Sequence, residues 1–449
     1  MSSERALQNE EPIVKFSNSA QMFEKSKRVL AGGVSSDVRK TEIPHPLFFA
    51  SGRGSRIWDI DGNEFIDYVL AQGPLLLGHS PQPVLDAVIL QLRKGLMYAA
   101  QHEAEIELAD LLTQVIPCSE RVRFNSTGSE AVITALRVAR AYRNRKLVIK
   151  FEGQWHGWYD SIFVSTAPPV DQAGPASTPT PILPSRGQVA NAADNLIILP
   201  WNDLELVKST FAQCGEQIAA VITEPVMCNS GSLLPQPGFL EGLRDLCTRY
   251  ESALIFDEVI TGFRLALGGA QELFRVTPDL ATYAKGIASG FSLSAVTGKA
   301  EFMDLISNGQ VTHAGTYNSN PIVIAAGLAT VRHLSTNKEA IYSRLFQLGE
   351  RLRTGLRLCL EKAGIPAQVG GMGPVVQVSL TDKKQLLNYR DWASRDHASY
   401  QRIVLELAQH GIRTLTRGTW YLSVDHSKED IDLTVEHFEN AVALSKYKN

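Results

Sequence analysis

From about residue 120 to 330, apolar runs typical of strands alternate with segments of helical periodicity. Helical patterns cover 130–143 and 238–250. The strand-like runs are RVRF (121–124), KLVIKF (146–151), AAVITEP (219–225), ALIFDEV (253–259), LATYAKG (280–286) and LSAVTG (293–298). This order predicts an α/β fold in which helices cover both faces of a mostly parallel sheet. Ligands of such sheets bind beyond the carboxyl ends of the strands.

The two ends of the chain follow a different pattern. Residues 1–70 contain a helical stretch and a β meander, SRIWDIDGNEFIDYV, with Asp61-Gly62 as its turn. After residue 335 come a long helical pattern, the strand VVQVSL, another helix and a final hairpin. We expect 1–70 and 335–449 to form one smaller α+β domain beside a large domain at 71–334, which suits a chain of 449 residues.

Residues 166–194 are rich in proline, serine, threonine and alanine. The stretch is too long for a plain connection between two strands. It therefore predicts either a functional lid or a disordered insert.

Composition excludes several classes of partner. The formal net charge of −3 gives no electrostatic case for nucleic acid or an anionic membrane. No run of about 18 apolar residues is present. The five cysteines form no CxxC pair, which argues against a disulfide framework or a zinc site, and no metal is expected. The polar N-terminus, MSSERALQNEEP, lacks a signal core, so the expected location is the cytoplasm.

Three short segments carry candidate chemistry. Asn125–Ala131 leads from a strand into a helix, where backbone N–H groups and hydroxyls either bind a phosphate or simply cap the helix. Asp257 ends an apolar strand, where a carboxylate needs a cationic partner such as a protonated pyridine, or else bonds to backbone or an arginine. Lys285 follows another strand and is either a Schiff-base lysine or a surface lysine.

The order and spacing of these segments resemble the class III, fold type I aminotransferases that use pyridoxal 5'-phosphate (PLP). Within that family the chain is most similar to the glutamate-1-semialdehyde 2,1-aminomutase group. The matching strings are AGGVSSDVR (31–39), NSTGSEA (125–131), FEGQWHG (151–157), ITEP (222–225), PGFLEGLR (237–244), FDEVITGFR (256–264), TPDLATYAKGI (277–287) and AGTYNSNP (314–321).

The resemblance implies roles for four residues around the cofactor ring. Lys285 would form the Schiff base, and Asp257 would hold the pyridine nitrogen. Trp155 would stack on one face of the ring, and Val259 would pack against the other. Without the resemblance, Trp155 and Val259 could be ordinary core residues.

The resemblance also implies how the phosphate is bound. Gly128 and Ser129 would bind it from the same subunit. Thr316 would reach the phosphate of the neighbouring subunit, because this family builds its active sites at a homodimer interface. The alternative for Thr316 is a turn residue.

The substrate side departs from the aminomutase pattern. Arg39 matches the arginine that faces the substrate carboxylate, although a surface arginine is the alternative. Gln72 replaces a tryptophan of the aminomutase pocket. The 166–194 stretch does not match the aminomutase gating loop, and 414–420 is also changed. Arg417, in that changed segment, is either a second carboxylate ligand or a surface charge. Glu224 and Arg264 are interpreted as structural braces.

These observations predict a PLP-dependent aminotransferase with small-molecule substrates. It would transfer an amino group between a β- or ω-amino substrate that carries a carboxylate and a keto acid. Two alternatives remain open: glutamate-1-semialdehyde 2,1-aminomutase, and a non-catalytic scaffold with the same fold.

Overall fold

A computed structural model describes residues 14–447, with side chains to residue 444, so the expectation about residues 1–12 lies outside the described residues. The central sheet has seven strands in the order β4-β10-β9-β8-β7-β5-β6. All neighbours are parallel except β10, which is antiparallel to both β4 and β9. The strands are β4 (Arg121–Asn125), β5 (Leu147–Phe151), β6 (Leu196–Leu199), β7 (Ile218–Thr223), β8 (Ala253–Asp257), β9 (Leu280–Tyr283) and β10 (Ser294–Gly298).

Helices cover both faces of this sheet, because its central strands are apolar on both sides. Every residue of β7, β8, β9 and β10 is buried. The helices of the chain are α1 (Ser17–Ser26), α2 (Gln82–Leu92), α3 (Glu103–Val115), α4 (Gly128–Arg143), α5 (Leu204–Cys214), α6 (Phe239–Arg249), α7 (Ala270–Phe274), α8 (Ala300–Ser307), α9 (Pro321–Thr336), α10 (Lys338–Lys362), α11 (Tyr389–Ala393), α12 (His397–Gln409) and α13 (Lys428–Tyr447). Within 14–447, no helix is long and apolar enough to span a bilayer.

The two chain ends meet in a smaller sheet. Its order is β1-β2-β3-β13, and the last strand, from near the C-terminus, lies parallel to β3. A separate three-stranded sheet has the order β11-β12-β14. The strands are β1 (Phe49–Arg53), β2 (Arg56–Asp59), β3 (Glu64–Asp67), β11 (Ala367–Met372), β12 (Val375–Leu380), β13 (Ile412–Arg413) and β14 (Thr419–Tyr421).

The predicted final hairpin is wrong, because β13 and β14 do not pair with each other. Ile412 pairs with Ile66 of β3, whereas Trp420 pairs with Val376 of β12. The buried Trp420 ring donates from Nε1 to Tyr400 Oη at 2.9 Å. The apolar residues that suggested a hairpin therefore serve two different sheets.

Residues 166–194 contain no helix or strand, yet side chains hold them against the rest of the chain. Arg390 of α11 donates to the carbonyl oxygens of Ala173 and Gly174 at 3.0 and 2.7 Å. The same guanidinium forms a two-pronged ion pair with Glu152, with both N–O distances at 2.8 Å. Tyr389 Oη donates to Pro168 O at 2.9 Å. The stretch is therefore fastened to both the large sheet and the C-terminal part of the chain.

Candidate active site

A cavity of about 390 Å³ opens at the carboxyl edge of the central sheet. It is bounded by the segments that follow β4, β5, β7, β8 and β9, and by the segment that leads into the antiparallel β10. Six of the sequence-predicted cofactor residues line it: Gly128, Ser129, Trp155, Asp257, Val259 and Lys285. The sheet topology brings them together because parallel strands end at a common edge.

Lys285 begins a short 3₁₀ turn directly after β9. Its φ of 43° is in the left-handed region, a strained conformation for a residue with a Cβ. Loss of hydration and, to a smaller extent, the positive charge of Arg417 lower the pKa of Lys285, and the charge of Glu224 opposes them; together these effects bring it from 10.5 to about 8. About a tenth of the amine is therefore unprotonated, and so nucleophilic, at pH 7, far more than for an exposed lysine.

Asp257 is the last residue of β8, and its carboxylate is buried. Oδ1 accepts from Val259 N at 3.1 Å and lies 3.5 Å from Thr282 Oγ1. Oδ2 lies 2.7 Å from Nδ1 of the buried His156. These donors fix the direction of the carboxylate.

His156 is a site residue that the sequence reasoning did not single out. Its Nε2 is buried and has no hydrogen-bond partner within the described chain. Because an ionised carboxylate only accepts hydrogen bonds, Nδ1 is the donor to Asp257 Oδ2. The signal was present in the sequence, since His156 directly follows the predicted stacking residue Trp155.

The start of α4 presents free backbone donors to the cavity. Thr127 and Glu130 form a capping box, in which Thr127 N donates to Glu130 Oε2 at 2.8 Å and Glu130 N donates to Thr127 Oγ1 at 3.3 Å. This leaves the N–H groups of Gly128 and Ser129 as the first-turn donors without a partner inside the helix. The two interpretations of the segment are therefore compatible, since the helix cap leaves the N–H groups of Gly128 and Ser129 available beside the cavity.

Two glycines leave space beside the start of α4. A Cβ on Gly128 would lie 3.1 Å from Val259 Cγ2. Gly157 has a φ of +93°, and a Cβ there would lie 2.7 Å from Ser129 Oγ. The glycines therefore allow the segment after β5 and the residues after β8 to approach the helix start closely.

Trp155 stands at the edge of the cavity with 43% of its surface exposed. Its ring contacts Phe163 edge to face, with the centroids 5.1 Å apart. Its backbone N–H donates to Glu224 Oε1 at 2.8 Å. The exposed area is available to a planar ligand in the cavity.

Glu224 is a brace for the site, as the sequence reasoning interpreted it. Besides Trp155 N, its carboxylate accepts from Asn229 N at 3.2 Å and Asn229 Nδ2 at 3.0 Å. Burial raises the pKa of Glu224. The side chain thereby joins the segment after β5 to the segment after β7.

Four predicted residues do not line the Lys285 cavity. Arg39 is exposed on the turn Asp37–Thr41 and shares a separate cavity of about 60 Å³ with Gln72. Thr316 is exposed and lines another cavity of about 390 Å³, together with Tyr98. Arg417 lies near enough to Lys285 to affect its pKa.

Arg417 is held by neutral partners. Its Nε donates to Thr419 Oγ1 and its Nη2 to Tyr421 Oη, both at 3.3 Å. Within the described chain it forms no ion pair with a carboxylate. Its positive charge is therefore uncompensated beside Lys285.

Arg264 is a buried guanidinium without a carboxylate partner in the described residues, and burial lowers its pKa to about 10. It donates to Gly73 O and, at 3.0 Å, to Leu422 O, and it lies 5.1 Å from the centre of the Tyr421 ring. It holds a left-handed backbone run, since φ is 44°, 55°, 72° and 105° along residues 70–73. The bracing role inferred for Arg264 agrees with this geometry.

Comparisons with known proteins identify the family. The family model "Aminotransferase class-III" matches residues 37–442. A relative from Methanopyrus kandleri, named glutamate-1-semialdehyde 2,1-aminomutase, is 38% identical over 95% of this chain and 97% of its own length.

Two solved structures share the fold and nearly the full length. An omega-transaminase from Sphaerobacter thermophilus is 34% identical with a TM-score of 0.88, covering 95% of this chain and 98% of its own. A beta-phenylalanine aminotransferase from Variovorax paradoxus is 29% identical with a TM-score of 0.85, covering 96% of this chain and 95% of its own.

The cavity also fits the cofactor of that family. It combines unpaired N–H donors at a helix start, glycines that leave room beside them, a buried oriented carboxylate and a lysine with a lowered pKa. These are the groups that a phosphorylated pyridine aldehyde requires. The chain belongs to the class III aminotransferases, and its cofactor is pyridoxal 5'-phosphate.

Proposed function

We propose that this enzyme transfers an amino group between a β- or ω-amino substrate that carries a carboxylate and a keto acid. The observation that carries the proposal is the uncompensated charge of Arg417 beside Lys285. A guanidinium without an anionic partner near the reacting amine is a suitable ligand for a substrate carboxylate. The names of the Sphaerobacter and Variovorax proteins agree with such a substrate.

The residues that line the cavity would have separate roles in cofactor binding and proton transfer. PLP, when bound, supplies the electron sink for the reaction. Asp257 would keep the ring nitrogen protonated, and its three neighbours hold it for that task. Lys285 Nζ would take the proton from the amine-bearing carbon of the substrate. Trp155 and Val259 would hold the ring from its two faces, and Gly128 and Ser129 would bind the phosphate through N–H groups.

The fastened 166–194 stretch favours transamination over the aminomutase reaction. An aminomutase must retain its intermediate between two half-reactions, which requires closure of the site. None of residues 166–194 lines the Lys285 cavity, and Arg390 and Tyr389 hold this stretch in place. We infer that a keto product leaves after the first half-reaction.

We also propose that the active enzyme is a homodimer. Thr316 and the adjoining Tyr317 are exposed, as are the apolar side chains of Leu96 and Tyr98. Tyr98 and Thr316 share a cavity that is open in the single chain. A second copy would cover these residues, and Thr316 would then reach the partner's phosphate group.

A screen of amino donors tests the substrate proposal. The holoenzyme would be given β- and ω-amino acids, glutamate and alanine, each with pyruvate or 2-oxoglutarate. We expect product formation that depends on the keto acid. The identity to the Methanopyrus relative favours glutamate-1-semialdehyde aminomutase as the second candidate. Faster conversion of glutamate 1-semialdehyde without any acceptor would establish that alternative.

A further inference from the structure

Lys150 is a completely buried lysine that the proposed reaction does not use. It lies on β5 between Ile149 and Phe151, which both point into the apolar cluster on the other face of the sheet. Its own face is covered by an apolar cluster that includes Val148 and Val164. A methionine would fill such a site at lower desolvation cost, so the amine needs a specific explanation.

The contacts of the amine supply that explanation. Nζ donates to the carbonyl oxygen of Val164 and, at 3.3 Å, to that of Gln154. These two carbonyls bracket residues 155–163, which include Trp155 and His156. One side chain therefore ties together both ends of the segment that faces the cavity.

The electrostatics agree with a positioning role. Burial lowers the pKa of Lys150 to about 7, and the only opposing influence is the charge of Glu224. Within the described residues, no carboxylate forms an ion pair with Lys150. A neutral amine has two N–H donors, which match the two carbonyl acceptors without burying a charge.

We propose that Lys150 is a positioning residue, which fixes residues 154–164 so that Trp155 lies against the cofactor and His156 against Asp257. Glu224 and Gln154 hold this segment from the side of β7, through Trp155 N and Thr223 Oγ1. Lys150 holds it from the side of β5. The inference depends on the roles proposed for Trp155 and Asp257.

The first test uses Lys150→Met. The matched control is Lys146→Met, since Lys146 is exposed and lies just before the same strand, β5. In the apoenzyme, we expect amide hydrogen exchange within 154–164 to become about tenfold faster or more, because Lys150→Met removes both hydrogen bonds of the amine. In the holoenzyme, we expect the visible circular dichroism of the cofactor to change and its dissociation constant to rise by about the same factor. Neither readout needs a substrate, so both remain valid if the substrate proposal fails.

The second test asks whether Lys150 acts through the segment. In a Trp155→Ala background, Lys150→Met should have little further effect on cofactor affinity, because residues that act as a unit are not additive. Lys150→Gln, which retains two N–H donors, should restore part of the dichroism. Unchanged exchange and dichroism in Lys150→Met, or full additivity with Trp155→Ala, would overturn the proposal. Failure of both Lys150 variants to fold would make the residue a folding determinant and overturn it as well.

Discussion

The residues proposed to bind the cofactor and those proposed to bind the substrate lie in different surroundings. Asp257 and Lys285 lie at or directly after strands whose every residue is buried, and Asp257 has a partner on each oxygen. Gln72, Arg39 and Arg417 lie on turns and loops from both chain ends. On the proposed roles, the sheet edge would hold the reaction chemistry, and the surrounding loops could change the substrate without disturbing the sheet.

Loss of the lysine on the sheet edge should have the largest effect. Lys285→Ala should lower turnover by at least about 10⁴-fold, because it removes both the covalent anchor and the base. Borohydride reduction and peptide mapping of the native enzyme should place the cofactor on Lys285. A label on Lys299, which is paired with Asp279 at 2.6 Å, would contradict the assignment of Lys285 as the Schiff-base lysine. It would also contradict the comparison between cofactor and substrate residues.

Removal of the charge at Asp257 should have the next largest effect. Asp257→Asn should keep the cofactor but slow the first half-reaction by about ten- to a hundredfold, the range for a lost charged hydrogen bond. Stopped-flow absorbance in the absence of a keto acid isolates this step. A half-reaction at the native rate would mean that another group keeps the ring nitrogen protonated.

On the substrate side, Arg417→Ala should raise KM for carboxylated substrates by about ten- to a hundredfold, as expected for a lost charge-assisted pair. Amines without a carboxylate should change far less, and they serve as the control. Arg39→Ala should have a smaller effect, because the exposed Arg39 does not line the cavity. Equal losses for both substrate classes in Arg417→Ala would make this arginine a structural residue.

The smallest predicted effect links the two sets of residues. The rate at which the apoenzyme binds PLP covalently should rise with pH with a midpoint near 8, if the free amine of Lys285 is the nucleophile. Arg417 helps to lower this pKa, so Arg417→Ala should shift the midpoint to higher pH. Arg39→Ala is the control, because the titration of PLP itself contributes equally in both variants. Its midpoint should be unchanged. An unshifted midpoint in Arg417→Ala would show that the two sets of residues are electrostatically independent.

Much of the large sheet could be predicted from the sequence, and the α/β prediction is confirmed. The runs at 121–124 and 253–259 correspond to β4 and β8. Strand β8 is buried along its whole length, whereas β4 alternates exposed arginines with apolar residues that face inward. The short edge strand Leu196–Leu199 was missed, since it follows the long proline-rich stretch. The final hairpin was wrong because local pattern does not say which strand becomes the partner.

The site could be predicted only as far as its residues belong to recognisable strings. The roles of Lys285 and Asp257 follow from such strings and stay predictions, while their shared cavity is visible only in the structure. The contacts of His156 with Asp257 and of Arg390 with Gly174 join residues far apart in the sequence, so their sequence neighbours do not indicate these partners. Tertiary contacts of this kind depend on the completed fold.

The left-handed run at residues 70–73 has a consequence for protein engineering. Leu70, Ala71 and Gln72 all have a Cβ, and each left-handed residue of this kind costs about 1 kcal/mol. Replacing Ala71 or Gln72 by glycine or asparagine should therefore relieve conformational strain. The hydrogen bond from Arg264 to Gly73 O should preserve the backbone conformation in these variants. The resulting margin of stability would let a library of variants tolerate more disruptive changes elsewhere around the substrate.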